Sequence, residues 1–379
     1  MKIFIVTTSR SDFGLLKNLI LEFKKNSMNF KVIAAGSHFL KDFGATSLEI
    51  AKNNIKLYKT IKLHSKFETA EDISVGISNH LLKFVNILKK KKPDLIVLLG
   101  DRFEVFSIAI AAYILRIPIA HIHGGEVTEG SLDDAYRHCI TKMSNVHFVS
   151  HDIYKKRIIQ MGEDPKSVYN VGALGVDSIK NTKLFNQQYL EKKFKIKFLQ
   201  KNIIVTLHPE ITGYSGTKLL VNELLKSLKK LKNTGIFFTG PGADISNLLI
   251  KKKLKDFVKK NNNSYYFDSL GQKNYLSFLS IVDCMVGNSS SGIIEMPSFK
   301  KATINIGTRQ MGRVKSKSII DCRIKNKEIS KALHKVFTTD FNNKNFKNPY
   351  DKNHTARKIT KILKLIKIKN FFKKNFYDL

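Results

Sequence analysis

The sequence predicts an α/β protein made of two doubly wound parallel-sheet domains facing a cleft. Three observations lead there. The chain has 379 residues, and an ordinary domain takes roughly 150. Short continuous apolar runs alternate with amphipathic helical patterns, as in a parallel sheet covered on both faces. That alternation restarts near residue 200. An apolar set of 42% of residues is enough for two cores and excludes a disordered chain. The expected divisions are an N-terminal domain over 1–175, a second over 176–352, and a basic helix and tail over 353–379 that packs back on the first.

In order, KIFIVTTS reads as the first strand, and Gly14 to Lys25 as a helix with Leu15, Leu16, Leu19, Ile20 and Phe23 on one face. FKVIAAGS is the second strand. A helix from about Ile73 to Lys90 leads through Pro93 into DLIVLLGD, a fully buried strand. Phe103 to Leu115 is helical, IPIAHIHGGE a strand ending in a glycine turn, Asp133 to Met143 a helix, and NVHFVS a strand. The second half repeats the scheme. Its strands are NIIVTLHPE, GIFFTGPG, SYYFDS, DCMVGNSS and KATINIG. Its helices are Lys218 to Lys232, Asn247 to Asn261, Asn274 to Ile281 and one from Ser291, followed by a tail helix over 353–369.

The formal net charge is +35, which raises the question of nucleic acid. The cations are 57 Lys and only 9 Arg, whereas base and phosphate readers lean on the planar Arg fork. The Lys runs are scattered and no aromatic-and-basic recognition module is present, so no nucleic-acid partner is expected. Five of the nine Arg stand in the segments discussed next: Arg10, Arg102, Arg137, Arg309 and Arg313. No apolar run is long enough to span a bilayer, so no membrane partner is expected, and the N-terminus reads as a strand rather than a signal peptide. Cys139, Cys284 and Cys322 have no metal or redox spacing, which suggests reduced thiols in the cytoplasm.

Polar residues collect after the strands, where ligands bind in such sheets. Thr7 to Gly14 lacks the dinucleotide pattern G-x-G-x-x-G. Its hydroxyls and Arg10 at a helix start suit an anion, or form a plain strand-to-helix cap. Asp101 and Arg102 follow a buried strand, Asp101 being either a helix cap or a general acid or base. Strand alternation puts His121 and His123 on one side, before Gly124, Gly125 and Glu126. Asp133, Arg137 and His138 fall together on the next helix. Zinc is disfavoured, because Cys pairs and an H-E-x-x-H helix are lacking. In the second half, His208-Pro209-Glu210 and Gly240-Pro241-Gly242 end strands. Ser289, Ser290 and Ser291 start a helix that holds Glu295, with Arg309 and Arg313 beyond the next strand. Hydroxyls, backbone N–H groups and Arg form a diphosphate cradle, and Glu295 could reach a ribose.

Taken in order, these segments resemble the hydrolysing UDP-N-acetylglucosamine 2-epimerases of sialic-acid and related nonulosonic-acid pathways, over about residues 1–315. The resemblance implies two Rossmann-like domains arranged as in the GT-B glycosyltransferases, with nucleotide held mainly by the second. It implies no metal and no other cofactor, a nucleotide-sugar substrate, and a homodimer through the first domain. The reaction it implies removes the nucleoside diphosphate from C1 and a proton from C2, giving a glycal. Water then adds with inversion at C2, releasing a free N-acetylmannosamine-type sugar. By motif match Asp101 and Asp133 are the acid/base candidates, with Arg137 beside them and His208 near the diphosphate. Arg10, Ser290, Glu295, Arg309 and Arg313 match nucleotide contacts, with Arg102, Ser289 and Ser291 in the same segments. Many relatives carry Glu where this chain has His123, so that acid's role passes to His123 or to Glu126. Leu15 stands where some non-hydrolysing relatives have Lys.

The commoner substrate, UDP-N-acetylglucosamine, is the expectation. UDP- or GDP-N,N'-diacetylbacillosamine, on the legionaminic-acid route, is the alternative. A GT-B glycosyltransferase, which needs an acceptor, and a basic polyanion-binding protein are the rivals outside the family.

Overall fold

The structure is a computed structural model. It describes residues 1–39, 50–51, 53–62, 69–209, 213–241, 247–338, 341, 345–366 and 374–379. The chain divides into two compact units. One holds Met1–Glu126, Ser131–Ser178 and Tyr350–Leu379, the other Val127–Gly130 and Ile179–Pro349.

The first unit runs β1 (Ile3–Thr7), α1 (Arg10–Lys25), β2 (Phe30–Gly36), β3 (Leu57–Lys62), α2 (Ala70–Lys91), β4 (Leu95–Leu99), α3 (Phe103–Ile114) and β5 (Ile119–Ile122). It continues with α4 (Leu132–Met143), β6 (Val146–Val149), α5 (Asp152–Gln160), β7 (Val168–Asn170) and α6 (Leu174–Lys180). The seven strands are all parallel, in the order β3-β2-β1-β4-β5-β6-β7. Along β1 the side chains alternate between two apolar layers. Ile3 and Ile5 join Leu16, Leu19 and Phe23 of α1, and Phe4 and Val6 join Phe84, Leu88 and Ile108. Each such burial contributes about 1.5–3 kcal/mol, and both faces are needed because the strand is apolar throughout.

The second unit runs α7 (Gln187–Phe194), β8 (Lys201–Thr206), α8 (Gly213–Leu228), β9 (Thr234–Thr239), α9 (Asn247–Lys259), β10 (Ser264–Phe267) and α10 (Gln272–Ile281). β11 (Cys284–Gly287), α11 (Ser290–Ile294), β12 (Ala302–Ile306), β13 (Ile319–Cys322) and α12 (Asn326–Thr338) complete it. Its six parallel strands follow the order β10-β9-β8-β11-β12-β13, the same winding as the first sheet. Each sheet therefore reverses its strand order once, between β1 and β4 and between β8 and β11. Ligands bind outside the carboxyl ends of strands at such points. Gly287 serves one of them. Its φ is +142°, and a Cβ there would stand 1.9 Å from Thr206 O, so β11 can close on β8 only without a side chain.

The last helix, α13 (Thr355–Leu365), returns to the first unit and buries Ala356, Ile359 and Leu363 in the α1 layer. Asp177 receives its first N–H groups, from Thr355 (3.1 Å) and Ala356 (3.2 Å). No helix among the described residues is long and apolar enough to cross a membrane.

Several elements differ from the sequence expectation. Strand β5 ends at Ile122, because His123 has φ +68° and Gly125 φ +73°. Alternation therefore does not govern His123, and it does not share a strand face with His121. α1 starts at Arg10 rather than Gly14, and α8 lies about four residues earlier than expected. β3, α5, β7, α6, α7, β13 and α12 were not anticipated. β3 and β13 are edge strands, and only Ile61 of β3 is buried, so neither has a buried apolar run to announce it. Glu210, Gly242 and the end of the anticipated tail helix, 367–369, lie outside the described residues.

Candidate active site

In the first unit the chemistry gathers on the loops after β4 and β5 and on the first turns of α4. Arg137 is the hub. Its side chain is 2% exposed, and Nη1 donates to Asp134 Oδ1 (2.8 Å) and to the backbone carbonyl of Glu126 (2.8 Å). Nη2 donates to the carboxylate of Asp101. One planar fork thus serves three acceptors from three segments, a task for which Lys, a point donor, is unsuited. Asp101 therefore does not cap α3, whose cap position is Arg102, without a side-chain bond. On α4 Arg137 forms an ion pair with Asp134. His138 also lies nearest Asp134, at 3.6 Å. Asp133 stands in the first turn of α4, its N–H directed at Ser131 Oγ (3.3 Å), and burial, helped by the Asp133 charge, raises the Tyr136 phenol.

The two strand-end histidines differ in kind. His121 is fully buried, with Nε2 against Gly100 O (2.8 Å) and Nδ1 against Thr141 Oγ1 (3.1 Å). Burial pushes it down to about 3, only partly offset by the Gly100 bond, so it is a neutral brace between β4, β5 and α4. His123 sets Nδ1 2.6 Å from Glu126 Oε1, and Ser150 Oγ donates to that same oxygen at 2.8 Å. Its Nε2 is closed from solvent and meets no hydrogen-bond partner among the described residues. Gly125 permits the turn between them, since a Cβ there would stand 2.6 Å from Tyr154 O.

At the β1–α1 turn the sequence motif is used largely for capping. Ser9 accepts from the Asp12 N–H at 3.3 Å, while the Asp12 carboxylate takes Thr8 Oγ1 (2.6 Å) and Thr8 N (3.2 Å). Arg10 opens the helix, half-buried. Arg102 forks onto Glu104, with contacts of 3.1 and 3.3 Å, and Glu104 is fully buried. Burial raises that carboxyl and Arg102 works against it, so the guanidinium is committed to an internal partner. His38, buried beside Thr7 Oγ1 at 2.9 Å, is held down to about 4 by burial.

In the second unit the corresponding loops meet at Asn288. Its side chain accepts from His208 N (2.8 Å) and donates to His208 O (3.0 Å), fastening the end of β8 to the end of β11. Gln310, 1% exposed, donates to Asn288 O at 3.0 Å and so brings the Gly307–Arg313 turn to the same point. Ser289 caps α11 by accepting from Ser291 N (3.4 Å). Ser291 Oγ donates to the Glu295 carboxylate and lies 2.6 Å from Tyr275 Oη. That hydroxyl is thus engaged inside the unit. Ser290 and Arg309 are half-buried, and Arg309 forms no ion pair or hydrogen bond among the described residues. Arg313 Nη2 donates to Thr128 Oγ1 at 3.4 Å.

The structure thus brings together Asp101, Arg137, His123 and Glu126 in one unit, and His208, Ser289, Ser291 and Glu295 in the other. The sequence reading gave no role to Asp134, Ser150, Tyr275, Asn288 or Gln310. Ser150 had a signal, its position just past a buried strand beside the histidine strand. Tyr275 had none, since nothing in a helix sequence says which strand-end serine it will meet.

Two parallel sheets of one winding, each with its polar residues at the switch point, define a two-domain Rossmann-like protein with a hydrogen-bonded cluster of carboxylates, imidazole and guanidinium in the first domain. The chain belongs to the UDP-N-acetylglucosamine 2-epimerase family, which matches residues 22–364. It is 40% identical over 342 residues to the GDP/UDP-N,N'-diacetylbacillosamine 2-epimerase (hydrolyzing) of Campylobacter jejuni, covering 90% of this chain and 88% of that one. It is 36% identical over 383 residues to the polysialic acid biosynthesis protein P7 of Escherichia coli, covering 100% and 97%. Its fold is similar to that of the Neisseria meningitidis UDP-GlcNAc 2-epimerase solved with UDP-GlcNAc, with a TM-score of 0.82, 18% identity, and coverage of 96% and 99%.

Proposed function

We propose that this protein hydrolyses a nucleoside-diphosphate-linked 2-acetamido sugar with inversion at C2, and that the sugar is N,N'-diacetylbacillosamine carried by UDP or GDP. The observation that carries the reaction is the buried Arg137, which binds the Asp101 carboxylate and the Glu126 backbone and so sets two proton-transfer groups beside each other at the ends of β4 and β5. The choice of sugar rests on the relative named for it in Campylobacter jejuni, and on another in Legionella pneumophila that is 28% identical over 366 residues. UDP-N-acetylglucosamine is the second reading, favoured by the description of the family itself.

The chemistry follows from the substrate. A C2 hydrogen on a pyranose is barely acidic until the C1–O bond begins to break, so base and leaving-group stabilisation must act together. In this account the Asp101 carboxylate, held in place by the guanidinium, takes the C2 proton. The C2–H electron pair becomes the C1=C2 bond, and the C1–O pair leaves on the diphosphate. In the second unit Ser290, Arg309, Arg313 and the His208 turn would hold that diphosphate, and Glu295 the ribose. Asp133 would complete the acid/base set. Water then adds at C1 and a proton at C2 on the opposite face, which frees the inverted sugar.

The test is to incubate the purified protein separately with UDP-N,N'-diacetylbacillosamine, GDP-N,N'-diacetylbacillosamine and UDP-N-acetylglucosamine, without an acceptor, and to measure free sugar. Turnover of a diacetamido compound at the highest kcat/KM is expected. Turnover of UDP-N-acetylglucosamine alone would replace the sugar assignment. Turnover only when an acceptor is added would replace the reaction by glycosyl transfer.

A further inference from the structure

We propose that His123 is the proton donor of the hydration half of this reaction, acting through Nε2, with Glu126 and Ser150 as its positioning residues. This rests on the epimerase reading above and adds to it which side chain delivers the second proton. Inversion needs two proton carriers, because a proton removed from one face of C2 must be replaced on the other. Asp101, bound to Arg137, supplies one carrier, and the next strand supplies a second of different chemistry.

Two donors converge on one oxygen of Glu126: Ser150 Oγ at 2.8 Å and the ring edge of His123 at 2.6 Å. A hydroxyl that donates there marks the oxygen as an acceptor, so the proton between His123 and Glu126 sits on Nδ1. Nε2 is thereby left as the exchangeable position, and it is the ring nitrogen that is closed from solvent and has no partner among the described residues. Residues on every side fix the pair. The His123 N–H donates to Phe148 O (2.9 Å) of β6, Arg137 holds Glu126 O, and Arg157 of α5 donates to Gly125 O. His121, two residues earlier, has both nitrogens engaged and is excluded from the role.

In the step itself, the C1=C2 pair of the glycal takes the proton from Nε2, whose N–H pair returns to nitrogen. Water adds to C1, and the proton it gives up returns to Nε2. The Glu126 carboxylate stabilises the imidazolium that precedes transfer.

The test has one arm on the resting protein and one on turnover. Nitrogen-15 NMR of the intact protein, with the His123 signals assigned by their loss in His123→Gln, should show hydrogen at Nδ1 and a bare Nε2 in the neutral ring. Glu126→Leu, which removes the acceptor facing Nδ1, should abolish the preference for hydrogen at Nδ1. In turnover, His123→Gln should form free sugar about 10²–10⁴-fold more slowly, while still releasing nucleoside diphosphate together with the unsaturated glycal. His123→Glu should restore free-sugar formation in part. Ser150→Ala should lower kcat about two- to tenfold with KM unchanged. Hydrogen at Nε2 in the unaltered protein, or normal free-sugar formation by His123→Gln, overturns the assignment and leaves the epimerase reading standing. Absence of turnover by the unaltered protein on all three nucleotide sugars overturns both.

Discussion

Replacing Arg137 separates the structural part of the active cluster from the chemical part. Arg137→Met removes a charge that is 2% exposed and faces two carboxylates and one carbonyl. Breaking a buried ion pair costs about 3–5 kcal/mol. Asp101 and Asp134 keep 22% and 25% of their side-chain surface in solvent and so recover part of their hydration. That places the loss near the lower end, about 3 kcal/mol. In a unit of roughly 200 residues, this lowers Tm by about 6–12 °C. Arg137→Lys keeps the charge but reaches fewer acceptors, so Tm should fall by only a few degrees while turnover falls about 10²-fold through misplacement of Asp101. Thermal unfolding by circular dichroism and free-sugar formation on the same samples give both numbers. An unchanged Tm for Arg137→Met, or normal turnover by Arg137→Lys, would refute the idea that one guanidinium assembles this site.

Further outcomes follow from other residues. Asp101→Asn should keep the fold, with a small change in Tm, and lose about 10²-fold or more in kcat; near-normal turnover removes Asp101 from the chemistry. His80 is buried on α2 with neither ring nitrogen hydrogen-bonded, and burial holds it down to about 4. The unfolded ring takes its proton near pH 6.5, so this residue's contribution is full above that pH and is lost as pH falls towards 4. His80→Leu should therefore stabilise by about 1–2 kcal/mol at pH 7 and flatten the decline to pH 4, as read by urea unfolding at both pH values; parallel declines would contradict this. Lys374 donates to the carbonyls of Lys142 (2.5 Å) and Ser144 (2.7 Å) at the end of α4 and pairs with Glu163 at 2.7 Å. Burial opposes the Glu163 charge, yet bonds from His147, Lys142 and Lys374 hold it down to about 2. That stabilisation is full above about pH 4.5 and lost as pH falls towards 2, so Lys374→Met should lower Tm at pH 7 and change it little near pH 2. Gly287→Ala should destabilise strongly or prevent folding, because its Cβ would overlap Thr206 O; a wild-type melting curve would contradict that.

Much of the fold could be read from the chain because parallel strands buried on both faces leave continuous apolar runs such as IFIV and LIVLL. The edge strands β3 and β13 carry no such buried run, and for that reason the sequence does not announce them. Helix α12 was missed although Ile329, Ala332, Leu333 and Val336 give it a clear apolar face. The site residues were legible as types at strand ends, but not as partners. Sequence spacing places Asp133 near Arg137 on one helix, but says nothing of the pair with Asp101, which lies 36 positions away. Alternation put His123 beside His121 because a positive φ in a non-glycine residue leaves no mark on the sequence. The contact of Ser291 with Tyr275 left no mark on the sequence for a similar reason, since it joins two different helices.

The reaction itself is tested most directly by running it in deuterated water and examining the sugar released. Elimination and rehydration predict free sugar of inverted C2 configuration, one nucleoside diphosphate per sugar, and solvent deuterium at C2 of every product molecule. Free sugar that keeps its original hydrogen and configuration at C2 would show simple hydrolysis and contradict the mechanism assigned to Asp101 and His123.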